Sequence, residues 1–185
     1  HIAKGNMAVL NMLNTKYFIT PKGKVQQNPG AMGNAWFVNK INLVANADAE
    51  IMALDEFNPA NTAIVDSRFS DQMIIKLDND QASISLTEYK PNYLKYNSTS
   101  PKNGIAIFSE IFYDKGWNAY INGELKPHFR ANYVLRGMQI PAGNHLVEFK
   151  FEPDSYFVSE RIAFASSILL LLLIVFVSIK EFKSS

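Results

Sequence analysis

The sequence contains no cysteine, which excludes a disulfide framework, a thiolate nucleophile and cysteine-ligated zinc or iron–sulfur sites. Histidine is scarce. His1, His128 and His145 stand far apart, with no i, i+4 pair and no carboxylate at ligand spacing, so neither a metal nor a cofactor is expected. An excess of one charge is also missing, since 18 Lys and Arg face 17 Asp and Glu over 185 residues. The closing segment from Glu160 to Ser185 carries Arg161, Lys180 and Lys183 against Glu160 and Glu181, so the rest is neutral. Without a basic surface to release phosphate counterions, nucleic acid is excluded as a partner. There is no glycine-rich phosphate loop, no GxGxxG and no GxSxG elbow. Glu110 and Asp114 bracket an aromatic stretch, but two carboxylates beside a strand end carry too little specificity, and no catalytic residue is assigned.

One long hydrophobic run is present. Ile162 to Ile179 reads IAFASSILLLLLIVFVSI, uncharged, with five consecutive leucines from Leu169 to Leu173. At about 1.5 Å per residue it reaches roughly 27 Å, close to the thickness of a bilayer core. It is apolar all round, unlike the core helix of a soluble protein, which keeps a polar stripe. A transmembrane helix is therefore expected over 159–181, with a short tail over 182–185. Lys180 and Lys183 make that tail basic, which the positive-inside rule assigns to the cytoplasm, leaving the bulk of the chain outside. The chain opens HIAKGN with no export signal of its own, so it reads as part of a longer protein whose export information lies upstream.

The preceding residues read mostly as strand. GIAIFSEIFY (Gly104 to Tyr113), HLVEFKF (His145 to Phe151) and QASISLTEYK (Gln81 to Lys90) alternate or run apolar with β-branched and aromatic residues. Turn signals separate them at Asp78-Asn79-Asp80, around Pro101, at Asn122-Gly123 and at Pro141 to Asn144. Asn122-Gly123 predicts a tight hairpin. Short helices are expected in Ala3 to Leu13 and in Ala47 to Phe57, the second capped by Asn46 or Asp48. The expected fold is mostly β: an antiparallel β-sandwich, jelly-roll-like, over 1–158 with one or two short helices, followed by a single transmembrane α-helix.

Aromatic residues concentrate before the hydrophobic run, several beside polar partners. Trp117 and Tyr120 lie in GWNAY, and Arg130, Asn132 and Arg136 lie in RANYVLR. Rings stack on sugar faces while Arg and Asn bond hydroxyls, so these five define a candidate glycan-facing or interdomain surface. The competing reading packs them between two sheets, with Tyr133 and Leu135 facing one way and Val134 and Arg136 the other.

The strings NMLNTKYFI, NPGAMGNAWFV, EYKPNYLKY, FSEIFYDKGWNAYINGE and RANYVLRGMQIPAGNHLVEFKFEPDSY, followed by a hydrophobic helix, closely resemble the carboxyl-terminal part of the YfhO family in its Bacteroidetes version. The resemblance runs in order over essentially the whole chain. It implies a large multi-span protein of the bacterial inner membrane, similar to GT-C glycosyltransferases, which use polyprenyl-phosphate-linked sugars outside the cytoplasm to modify cell-surface glycopolymers. It also implies that the catalytic acid lies in an early loop outside this chain. Expected partners are the lipid bilayer, the upstream transmembrane helices and a cell-surface glycan or polyprenyl-linked sugar. Three roles follow: accessory domain and anchor of a glycosyltransferase, membrane-tethered carbohydrate-binding module, or structural domain packed on upstream helices.

Overall fold

A computed structural model describes residues 1, 5–73 and 81–184. The turn expected at Asp78-Asn79-Asp80 and the first residues of the expected Ala3 helix lie outside the described residues. In chain order the elements are α1 (Met7–Met12), β1 (Tyr17–Ile19), β2 (Val25–Gln27), β3 (Ala35–Val38), β4 (Lys40–Val44), α2 (Ala47–Ala53), β5 (Thr62–Asp66) and a 3-10 turn (Ser67–Gln72). There follow β6 (Ser83–Lys90), β7 (Tyr93–Ser100), β8 (Gly104–Ile111), β9 (Trp117–Ile121), β10 (Glu124–Lys126), β11 (Phe129–Ala131), β12 (Leu135–Ile140), β13 (Gly143–Phe151) and α3 (Asp154–Ser184). The chain is mostly strand, as its alternation predicts.

Local chemistry accounts for the boundaries. Asn6 and Asn46 cap the two short helices, their Oδ1 atoms accepting the amides of Val9 at 3.3 Å and Ala49 at 2.9 Å. Asn122 (φ 52°) and Gly123 (φ 84°) turn β9 into β10, since both tolerate the left-handed region that this hairpin turn demands. Pro153 ends β13, having no amide for the ladder, and its carbonyl accepts the Tyr156 amide at 3.0 Å in the first turn of α3. The helix thus begins at Asp154, earlier than the apolar run.

Five strands form one antiparallel sheet in the order β10-β9-β13-β7-β6, and four form a second in the order β11-β12-β8-β3. Their inner faces meet in an aromatic core of Leu94, Tyr96, Ala106, Phe108, Met138, Val147 and Phe149. Tyr96 and Phe108 stand edge to face at 4.9 Å and Phe108 and Phe149 at 4.8 Å, a geometry that contributes about 0.5–1.5 kcal/mol per pair beyond burial.

The four-stranded sheet is buried on its other face too. Ile105, Ile107, Phe129, Ala131 and Leu135 pack there against Val9, Met12, Ile41, Leu54, Ile64 and Val65. That third layer comprises α1, α2 and a parallel pair, β4 beside β5, joined by α2. Double burial explains why Gly104 to Phe108 is apolar without alternation. Close approach inside the sheet needs a glycine: a Cβ on Gly137 would collide with the Phe129 ring on the neighbouring strand.

Candidate functional site

Strand alternation sorts the residues of β9 cleanly. Trp117, Ala119 and Ile121 point into the sandwich, while Asn118 and Tyr120 stand on the outer face of the five-stranded sheet. Beside them the register places Glu148 and Lys150 of β13, and beyond those Tyr93 and Lys95 of β7. The side chains form a bonded plate. The Tyr120 hydroxyl donates to Glu152 at 2.6 Å, the Asn118 amide donates to the same carboxylate oxygen at 3.1 Å, and the Tyr93 hydroxyl donates to Glu148 at 2.6 Å. Lys150 lies 4.7 Å from the Tyr120 ring centre and 3.6 Å from the Glu148 carboxylate.

These bonds set the protonation states. Donation to Glu148 pushes the Tyr93 phenol up to about 12, and donation to Glu152 raises that of Tyr120. The same bonds, first from Tyr120 and then from Asn118, hold the Glu152 carboxyl below its usual range. The plate is therefore a fixed array of neutral phenols, carboxylates, amides and an ammonium, suited to bonding the hydroxyls of a polar ligand. It contains no activated nucleophile. Among the described residues no group of three His, Asp or Glu side chains is placed to hold a metal ion.

The other sequence-predicted residues lie elsewhere. Trp117 turns inward, its ring 5.4 Å from Phe151 and 4.2 Å from the Arg136 guanidinium. Arg136 is 2% exposed, wedged between the sheets against Trp117 and Phe149, with Nε donating to the Ile111 carbonyl at 3.0 Å. Burial lowers its pKa to about 10. Nearby, burial first and the Arg136 charge second hold His128 down at about 4, and burial raises Glu110.

Arg130 and Asn132, on and just after β11, bond to the third layer. Arg130 donates through Nη2 at 2.6 Å and Nε at 3.2 Å to Glu50, a fully buried carboxylate of α2 that also accepts the Tyr133 amide at 2.8 Å. Desolvation pushes the Glu50 carboxyl up, opposed by the Tyr133 and Arg130 bonds. Asn132 joins β11 to β5, its Oδ1 accepting the Ile64 amide and its backbone N–H donating to the Ile64 carbonyl, both at 2.8 Å. Asn132 (φ 50°) and Tyr133 (φ 70°) are both left-handed, so the expected alternation through Tyr133 to Arg136 breaks, and Tyr133, Val134 and Leu135 share one core.

Of the five predicted residues, then, only Tyr120 stands on the outer plate. Trp117 and Arg136 meet between the sheets, and Arg130 and Asn132 tie β11 to α2 and β5. The carboxylates Glu148 and Glu152 escaped the sequence reading because a charged residue between strand apolars is ordinarily solvated. Glu50 escaped it too, although an acid beside Ile51 on an apolar helix face was a usable signal.

α3 is a single helix long and apolar enough to cross a membrane over Asp154–Lys180, and its apolar window is wholly exposed, with nothing else among the described residues packed on it. No curated protein and no solved structure matches the chain. The family described as "Bacterial membrane protein YfhO" matches residues 66–162, from the last residue of β5 through every strand of the sandwich except β3 to the start of the apolar run in α3. With more than half of its length matched, a β-rich domain and a closing helix of this kind, the chain belongs to the YfhO family of bacterial membrane proteins.

Proposed function

We propose that the chain is the carboxyl-terminal accessory domain and membrane anchor of a multi-span, glycosyltransferase-like protein. That protein acts on cell-surface glycopolymers with a polyprenyl-phosphate sugar donor, and the chemistry takes place in parts of it other than this domain. The domain stands on the extracytoplasmic side of the inner membrane, a reading supported by the basic Lys180 and Lys183 after the span. The observation that carries the role is the position of the outer plate. Glu152, which anchors Tyr120 and Asn118, immediately precedes Pro153 and α3, so the polar array sits at the end of the sheet that enters the helix. A sugar bonded there would be held close above the bilayer, where a lipid-linked donor resides.

The test is sugar transfer in membranes carrying the whole protein. Replacing Tyr120 or Asn118 by Ala removes plate donors without opening the core and is expected to lower transfer roughly tenfold, with the melting temperature nearly unchanged. Unchanged transfer in both variants would reject a glycan-facing role for the plate. That result would favour the structural reading, which already has an observation behind it: Arg130, Asn132 and Arg136 are committed to internal contacts.

A further inference from the structure

We propose that the β1–β2 hairpin is a membrane-surface finger that docks on an anionic bilayer. Its register pairs Tyr17 with Gln27 and Ile19 with Val25, so Tyr17, Ile19 and Val25 share one face. All three are open to solvent, at 61%, 78% and 64% exposure. Apolar side chains gathered on a short projecting ribbon, with no layer packed over them, are a surface made for contact.

Charge says with what. From Asn14 to Gly30 the sequence carries Lys16, Lys22 and Lys24 and no Asp or Glu. None of the three lysines makes an ion pair among the described residues. The partner is accordingly anionic and able to accept tyrosine and aliphatic side chains beside lysine ammoniums, which describes the headgroup zone of a bilayer with acidic lipid.

Placement agrees. The hairpin base is fixed by the Asn28 amide donating to the Lys16 carbonyl at 2.8 Å and by the buried Asn28 side chain donating to Asn11 and Thr15. α1 is held in turn to β8, where the Ser109 hydroxyl donates to the Met12 carbonyl at 2.9 Å. Gly104 of β8 pairs with Ile140, and Ser100 of β7 pairs with Gly143, so those ends lie together away from α3. Ser109 lies toward the opposite end, where β13 passes into α3 and where Ile111 and Tyr113 are also exposed. The finger therefore rises from the end of the sandwich that faces the membrane anchor. Its tip is preformed: Thr20 donates to Lys24, Gly23 donates to Thr20, and Gly23 (φ 73°) takes the left-handed turn.

The absence of native cysteine makes the test direct. The full chain carrying Pro21→Cys, labelled with an environment-sensitive dye, is reconstituted in phosphatidylcholine vesicles with about 30% phosphatidylglycerol, and quenching by a bilayer-resident quencher is measured. A label at Lys102→Cys, at the far end of the sandwich, is the reference. Quenching at position 21 and none at 102 is expected. It should fall at least about fivefold in vesicles of phosphatidylcholine alone, in the Lys16→Glu, Lys22→Glu, Lys24→Glu variant, and for the unaltered lysines in about 1 M salt, which does not depend on that variant folding. A position-21 label that stays as accessible as the one at 102 overturns the proposal, as does quenching indifferent to acidic lipid and salt. Burial of the label that grows with protein-to-lipid ratio at fixed composition also overturns it and assigns the face to a second copy of the chain.

Discussion

Two arginines six positions apart, Arg130 and Arg136, are both withdrawn from solvent, yet they solve the same electrostatic problem in opposite ways. Arg130, on β11, reaches a fully buried carboxylate of the third layer, Glu50, with Asp66 3.7 Å from the same nitrogen. Arg136 sits in the sandwich with no carboxylate within ion-pair distance among the described residues, held by a carbonyl and two aromatic faces, and its Nη1 is buried without a partner. A buried charge costs least when matched by its opposite, and removing one member of such a pair strands the other. The third layer is therefore brittle to single changes, whereas the sandwich already tolerates an unmatched cation.

The largest expected effect tests the first half of that contrast. Arg130→Met leaves Glu50 buried without its cation and should cost about 3–5 kcal/mol in urea unfolding, while adding Glu50→Leu should restore most of it. Additive losses in the double variant would mean that the pair does not act as a unit.

A smaller effect comes from pH. The unfolded His128 imidazole takes a proton near its ordinary 6.5, whereas the folded one, buried beside Arg136, resists until about 4. Stability from this residue is thus full above about pH 6.5 and declines as pH falls toward 4, by on the order of 3 kcal/mol. Glu50 and Glu110, raised by burial, slope the other way, so the informative quantity is the difference between the parent chain and His128→Gln. Parallel pH profiles for the two chains would remove His128 from the account.

The smallest effect is expected at Arg136. Arg136→Met surrenders ring contacts and one carbonyl bond but relieves an unmatched charge, so a net change of about 1 kcal/mol or less is expected. His128 should then titrate nearer its ordinary value, which a proton NMR titration reads directly. A loss as large as that of Arg130→Met would erase the distinction between the two layers.

Much of the sandwich was legible because antiparallel pairing is local and writes its signature locally. The apolar run of β8, the Asn122-Gly123 turn and the hydrophobic run of α3 each announce themselves within one contiguous stretch of sequence. The third layer was not legible. β4 and β5 are parallel and meet only across α2, and nothing in KINLV or TAIVD specifies a partner. The candidate site suffered the same limit. Tyr120 could be placed on a face by alternation, but whether Arg130 and Arg136 faced a ligand or a core depended on Glu50, Trp117 and Phe149, all distant in sequence. The left-handed pair Asn132 and Tyr133 then reversed the side on which their neighbours fall.

The join between sheet and helix has a mechanical consequence. Phe151 still donates to Asn92, Glu152 donates to Gly116, and Tyr156 already donates to Pro153, so the strand passes into helix without an intervening loop. α3 is thereby tied directly to β13, the central strand of the five-stranded sheet. A tilt of α3 would therefore be felt first at the Tyr120 plate, whose anchor Glu152 stands two residues before the helix.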